Sequence, residues 1–294
     1  MKGRGSTFGA VSIVNAVAGG KGVTASIRLG TEAVVELVAG PGEWKIIANG
    51  KAVESKLATE TVSLALKMAG KDASQYSATV ETTTALPMGV GLKTSSSASS
   101  AIALAVFAAL GQRAFDPQRI MTCSVDASLA SGASVTGAMD DSAACLLGGI
   151  NLVDNLGRKV ERSKLFDKPL KVIIKVPKAQ SRRAAVEVAQ VRKLGRVAEV
   201  LYRMSMEGDL WRAMTLNGTL YSAIYGYDGR AALQAVEHGA LGASLSGTGP
   251  ATAAVFEPKM SEEVKKLAEA WQADGSVVME TETNNEHGRI ESLD

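Results

Sequence analysis

The sequence predicts an α+β fold, with strands and helices in irregular order packed in layers. Three observations point there. The first quarter alternates β-branched runs with glycine turns, the middle holds long Ala-rich helical stretches, and the second half mixes both without a regular βαβ winding. A chain of 294 residues, 46% of them apolar, is long enough for about two domains with real cores. Aromatics make up only 4%, so those cores must be built from Ala, Val, Leu and Ile.

Taken in order, residues 33–38 and 44–48 read as strands flanking the turn Gly40-Pro41-Gly42. Residues 59–68 have helical spacing and stop at Gly70, and residues 78–84 return to a strand. A glycine-serine loop then leads into a long helix over 96–110, closed by Gly111. Asp116-Pro117 opens the next helix, with Asp as N-cap and Pro in the first turn, and Gly132 ends it. Strands are expected at 150–153, 170–176, 251–256 and 276–283, and helices at 184–206, 210–224, 229–238 and 261–273. The turn Asn155-Leu-Gly157 is the expected domain boundary, dividing the chain into 1–155 and 156–294.

Several function classes are disfavoured. A net charge of +2 is too small to announce a nucleic-acid binder, and Phe166, Tyr202 and Trp211 do not interleave with the basic stretch 158–196. Cys123 and Cys145 form no Cys-x-x-Cys pair, and with only His238 and His287 there is no zinc set. Lys2 and Arg4 ahead of the apolar run 8–18 imitate a secretion signal, but Gly9, Ser12 and Asn15 interrupt it and suit a strand and turn. The apolar run 101–110 is too short to span a bilayer. No membrane segment is expected, and a reducing cytoplasm fits the cysteines.

Three segments hold candidate chemistry. The first is Pro87-Met-Gly-Val-Gly-Leu-Lys-Thr-Ser-Ser-Ser-Ala98. Its glycines bend the backbone, its hydroxyls follow, and a helix N-terminus comes next, a combination suited to polyphosphate. A Walker A loop is excluded because Leu92 precedes Lys93-Thr94, and a dinucleotide fingerprint because Thr94 stands at its third glycine. A flexible turn before a buried helix explains the loop equally well. The second segment is Gly242-Ala-Ser-Leu-Ser-Gly-Thr-Gly-Pro250, a compact turn running into a strand. The third is Thr136-Gly-Ala-Met-Asp-Asp141, whose paired carboxylates suit a base, a metal ligand or an N-cap.

Together the three segments resemble the GHMP kinase superfamily, whose phosphate loop reads Pro-x-Gly-x-Gly-Leu-Gly-Ser-Ser-Ala; here Lys93 stands at the usual third glycine. The opening Phe8-Gly-Ala-Val-Ser-Ile-Val-Asn-Ala-Val-Ala-Gly-Gly-Lys-Gly22, the Lys-containing loop and Gly-Ala-Met-Asp-Asp are most similar to archaeal-type shikimate kinases. The resemblance covers residues 1 to about 256. It implies a two-domain GHMP fold, with a ribosomal-protein-S5-like N-terminal half and a ferredoxin-like C-terminal half. It also implies ATP and Mg²⁺ as cofactors, shikimate as acceptor, and a monomer or homodimer.

Residue by residue, the resemblance gives nucleotide contacts to Pro87, Gly89, Val90, Gly91, Leu92, Lys93, Thr94, Ser95, Ser96 and Ser97, with Ser95 near Mg²⁺. Asp141 and Asp140 are the catalytic candidates; Asp141, seven positions before Gly148, is preferred as the base, which would leave Asp140 mainly to cap the following helix. Gly247, Thr248 and Gly249 would support the phosphate loop from turn 246–250. Lys21, Arg182 and Arg183 are candidates for the shikimate carboxylate. Two departures stand out. Many relatives pair an early Lys or Arg with the aspartate, where this chain offers only Arg4; some carry a Mg²⁺-binding Glu where it has Ala130, with Asp126 one turn earlier. Rival readings are a homoserine or mevalonate kinase, and a non-catalytic ligand sensor on the same fold.

Overall fold

The computed structural model describes residues 1–178 and 187–293. Two long antiparallel strands, β1 (Lys2–Val14) and β2 (Lys21–Ala39), open the chain. Next come β3 (Trp44–Ala48), β4 (Lys51–Ala52), α1 (Lys56–Met68) and β5 (Tyr76–Thr84). Three helices follow: α2 (Thr94–Ala109), α3 (Pro117–Ser131) and α4 (Met139–Leu147). The hairpin β6 (Ile150–Asp154) and β7 (Lys159–Lys164) precedes β8 (Lys171–Val176). Then come α5 (Val188–Arg192), α6 (Gly195–Met206), α7 (Leu210–Tyr225) and α8 (Arg230–Glu237). The chain finishes with β9 (Gly242–Leu245), β10 (Thr252–Phe256), α9 (Ser261–Ala273), β11 (Val277–Glu282) and β12 (Arg289–Ser292).

Local chemistry accounts for the helix boundaries. The Ser55 side chain caps α1 by accepting from the Ala58 N–H, which starts that helix ahead of the expected residue 59. Asp116 accepts from the Arg119 N–H at 3.1 Å, Pro117 sits in the first turn, and Gly132 ends α3 in the left-handed conformation. The helix expected over 184–206 is interrupted between α5 and α6, and residues 184–186 of it lie outside the described segment.

The strands form two sheets. The larger runs β12-β1-β2-β5-β3-β4, with β6 and β7 branching from β2; the smaller runs β11-β8-β10-β9. The 19-residue β2 makes the branch possible, because it pairs with β6 along its first residues and with β5 along its last nine. The turn at 155–157 therefore joins two strands of one sheet, and the passage to the smaller sheet comes later, between β7 and β8. The division at 155/156 cuts this hairpin, and β12 returns from the C-terminus to pair with β1.

Two cores set the positions of the loops. Val62, Leu66, Leu104 and Phe107 from α1 and α2 cover one face of the larger sheet, against Val35, Leu37 and Val80. Here α2 lies directly on β1: a Cβ on Gly3 or Gly5 would come within 2.3 Å of helix backbone. That close approach is what the Gly3-Arg-Gly5 sequence provides. The second core joins the two sheets through Ile13, Val23, Val172, Ile174, Tyr202 and Met214, and it takes in Val90 and Leu92. Burying a side chain such as Leu92 contributes roughly 1.5–3 kcal/mol, so the loop that carries it is pinned rather than flexible. Cys123 and Cys145 are free and buried. Among the described residues no helix is long and apolar enough to cross a membrane.

Candidate active site

A cavity of about 290 Å³ opens where the β1–β2 turn, the loop before α2, the start of α4 and the Gly247 turn converge. The loop before α2 is built by contrast between its residues. Val90 and Leu92 bury their side chains, while Gly89 and Gly91 turn the backbone at φ +72° and +93° and line the cavity. A Cβ on Gly91 would lie 2.0 Å from the Ser246 carbonyl oxygen, so only glycine fits. The Thr94 hydroxyl closes the loop by donating to the Pro87 carbonyl at 2.9 Å.

Lys93 stands at the N-cap of α2 with φ +65° and ψ +26°, and no side chain caps the helix. The first-turn N–H groups therefore remain available to an anion, beside Thr94, Ser95 and Ser96 on the cavity wall. Ser97 is different. Its hydroxyl is buried between Thr7 and Thr31, bonded to both at 3.0 and 2.8 Å, so it braces α2 against the sheet and does not face the cavity.

Asp140 and Asp141 both line the cavity from the first turn of α4. The expected capping role of Asp140 is overturned, because the N-cap is Ala138, in the left-handed conformation. Asp140 is instead 5% exposed, with its carboxylate packed so closely over Gly22 that a Cβ there would meet it at 2.0 Å. Its N–H donates to Asn155 Oδ1 at 2.9 Å and its carbonyl accepts from the Thr24 hydroxyl at 2.6 Å. Burial first, and then the neighbouring Asp141 charge, push its carboxyl up to about 7 against the pull of Lys93.

The Lys93 ammonium reaches across the cavity floor to Asp141 Oδ1 at 2.9 Å; the two side chains are 7% and 19% exposed. Burial alone would lower the Lys93 pKa, but Asp141 and Asp140 together outweigh it and hold the pKa above the ordinary lysine value. The ammonium also lies beside the Gly247 turn, 3.2 Å from where a Gly247 Cβ would stand.

Other expectations are corrected. Arg4 pairs with Glu32 and Glu291 at the far end of β1, so it does not serve Asp141. Lys21 is engaged by Glu161 at 3.3 Å and lies over the Tyr202 ring, outside the cavity lining. Asp126 pairs with Arg158 at 2.8 Å and does not line the cavity. Arg182 and Arg183 lie outside the described residues. Gly247 and Thr248 line the cavity, whereas Gly249 packs against Leu245 and Tyr227.

Comparison with known proteins decides the family. Residues 56–149 match the family described as GHMP kinases N terminal domain. Shikimate kinase from Methanosarcina acetivorans is 37% identical over 287 residues, covering 97% of this chain and 95% of that protein. Shikimate kinase from Methanocella arvoryzae is 36% identical over 286 residues, with the same coverage. This chain belongs to the shikimate kinases of the GHMP superfamily. The crystal structure of homoserine kinase from Cytophaga hutchinsonii has the same fold, at a TM-score of 0.75 over 98% of this chain and 97% of that one. Its 18% identity carries the fold alone.

In this GHMP shikimate kinase, the cation paired with Asp141 comes from the glycine-serine loop before α2. The left-handed backbone at Lys93 explains why glycine is usual there, and the ion pair explains what a lysine adds. Sequence reasoning missed Ser12, Asn15, Ala16 and Val17, which line the cavity from the β1–β2 turn. The signal was present: Ser12 and Asn15 are two of the polar residues that break the apolar run 8–18. Ser128, Val135 and Val188 were missed as well, and nothing in their local sequence marks them.

Proposed function

We propose that this chain transfers the γ-phosphoryl group of ATP to the 3-hydroxyl of shikimate, yielding shikimate 3-phosphate and ADP on the route to aromatic amino acids. The observation that carries the reading is the Lys93–Asp141 pair, set in the same cavity as the uncapped N-terminus of α2. Phosphoryl transfer needs little covalent help, so positioning and charge neutralisation do most of the catalysis. The first-turn N–H groups of α2 and the Gly89–Gly91 backbone bind the β- and γ-phosphates. Asp141 orients the acceptor hydroxyl and takes its proton. Lys93 fixes that carboxylate and sets a positive charge beside the transferring group.

Mg²⁺ fits the donors present. The Ser95 hydroxyl and the Asp140 carboxylate are hard oxygen ligands on the cavity wall, of the kind Mg²⁺ takes alongside phosphate oxygens. Bound there, it supplies charge neutralisation for the phosphates. Arg182 and Arg183 remain the proposed partners of the shikimate carboxylate. Two free thiols fit a reducing, cytoplasmic setting. The test is ADP release coupled to an indicator reaction, with shikimate, homoserine and mevalonate offered separately. Turnover with shikimate alone is expected, and preference for either other acceptor would overturn the substrate assignment.

A further inference from the structure

A buried polar chain connects α7 to the phosphate loop without touching the cavity until its middle. Asn217 lies in the interior of α7 with no exposed surface, an expensive place for an amide unless both its ends are used. Both are. Its Oδ1 accepts from the Asn15 N–H at 2.9 Å, and its Nδ2 donates to Ser244 Oγ at 3.0 Å. The Ser244 hydroxyl in turn donates to the Leu245 carbonyl, so the amide has one allowed orientation. Tyr221, one turn further along α7, donates its hydroxyl to the Asn15 carbonyl at 3.2 Å.

Asn15, held on both backbone groups, passes its position on. Its Nδ2 donates to the Gly247 carbonyl at 2.6 Å, while its Oδ1 accepts from the Val17 N–H at 2.9 Å. Ser12 grips the same turn from the strand side. Its Oγ accepts from the Gly247 N–H at 3.0 Å, and its N–H donates to Ser246 Oγ at 3.2 Å. Ser246 completes the chain by donating to the Gly91 carbonyl at 2.8 Å, at the point where Gly91 has no room for a side chain. One donor–acceptor sequence therefore runs from α7 through the β1–β2 turn to the phosphate loop, and its members Ser12, Asn15, Gly247 and Gly91 line the cavity.

We propose that Asn217 is a positioning residue for phosphoryl transfer: through Asn15 and the Gly247 turn it sets the phosphate loop, and it makes nucleotide and acceptor binding interdependent. This inference rests on the phosphoryl-transfer reading above. A fully satisfied buried network has one low-energy arrangement, and a ligand ordering Asn15 to Val17 orders Gly91 at the same time. The bonds are contiguous, and coupling energies measure what they transmit.

The experiment compares the wild type with Asn217→Ala, Asn217→Asp, Tyr221→Phe and Ser124→Ala. Turnover is measured, together with calorimetric affinity for a non-hydrolysable ATP analogue with and without shikimate. The wild type should bind the analogue about fivefold more tightly with shikimate present. Asn217→Ala should abolish that gain, weaken the analogue itself severalfold and lower kcat on the order of 10- to 100-fold. Asn217→Asp still accepts from Asn15 and should recover turnover even while its buried charge lowers the melting temperature. Ser124→Ala removes a comparable buried bond, to Ser99, away from the chain, and should change stability only. Should Asn217→Ala fail to fold, Tyr221→Phe carries the test, with a smaller loss of coupling in the same direction. Wild-type coupling and kcat in folded Asn217→Ala or Tyr221→Phe would overturn the proposal, as would an equal loss of turnover in Ser124→Ala. A wild type that turns over shikimate yet binds the analogue equally well with and without it would overturn the interdependence; one that neither binds nor turns over shikimate defeats the substrate assignment alone, and unchanged analogue affinity in Asn217→Ala then defeats the relay.

Discussion

Replacing Lys93 by glycine removes the ammonium and at the same time supplies the residue that its left-handed backbone favours. The two effects oppose each other. Relief of the left-handed conformation returns about 1–2 kcal/mol. Removing one partner of a buried ion pair costs about 3–5 kcal/mol, and the lower figure applies because Asp141 is 19% exposed and water reaches it. The net loss is about 1–2 kcal/mol. For a chain of this size each kcal/mol moves the melting temperature by roughly 2–4 °C, so Lys93→Gly should melt roughly 2–8 °C lower. Lys93→Met loses the pair without the backbone relief and should melt lower still. Turnover should fall about 10²-fold or more in both, as when a preorganised charge is removed, while nucleotide affinity changes little in the glycine variant. Calorimetric melting and steady-state ADP release read out the two effects separately. A glycine variant that melts at or above the wild type with unchanged turnover would refute the assignment of Lys93 to Asp141.

Two further outcomes are expected. Gly91→Val drives a side chain into the Ser246 carbonyl and forces a β-branched residue to φ +93°, so ATP binding should be lost or greatly weakened; unchanged affinity in folded protein would remove this loop from the site. Asp140→Asn should raise stability in a pH-dependent way. Because folding raises the Asp140 pKa to about 7, ionising it in the folded state is unfavourable. That penalty is absent below about pH 4, grows as pH rises toward 7 and is complete above it, with a ceiling of about 4 kcal/mol. The melting difference between variant and wild type should therefore be near zero at pH 4 and largest at pH 8, and a constant difference would contradict the buried-carboxylate reading.

What the sequence revealed and what it hid follow from the range of the interactions. The caps of α3 were legible because Asp116, Pro117 and Gly132 act within one turn of themselves. The cavity-lining loop before α2 was legible because glycine spacing, hydroxyls and a following helix are contiguous. The contact between Asn15 and Asn217 was not, since the two meet across 202 positions and Asn217 stands in no motif, although Asn15 lies in the opening segment. The edge strand β7 is largely exposed and charged, so it lacks the alternation that marks a half-buried strand, and β12 alternates over only four residues, too short a run to stand out. Asp before a helix usually caps it, so the sequence points Asp140 to that role; only the fold, by pressing it onto Gly22, gives it a different one. Arg4 and Lys21 had the right charge, but strand pairing carried each to an acidic partner elsewhere.

The central claim is that Asp141, held by Lys93, acts on the acceptor hydroxyl. Shikimate-dependent ADP release by Asp141→Asn tests it most directly, since the substitution keeps shape and removes charge. The account predicts that kcat falls by about 10²–10⁴ while nucleotide affinity barely moves. Near-normal turnover in a folded Asp141→Asn protein would contradict it.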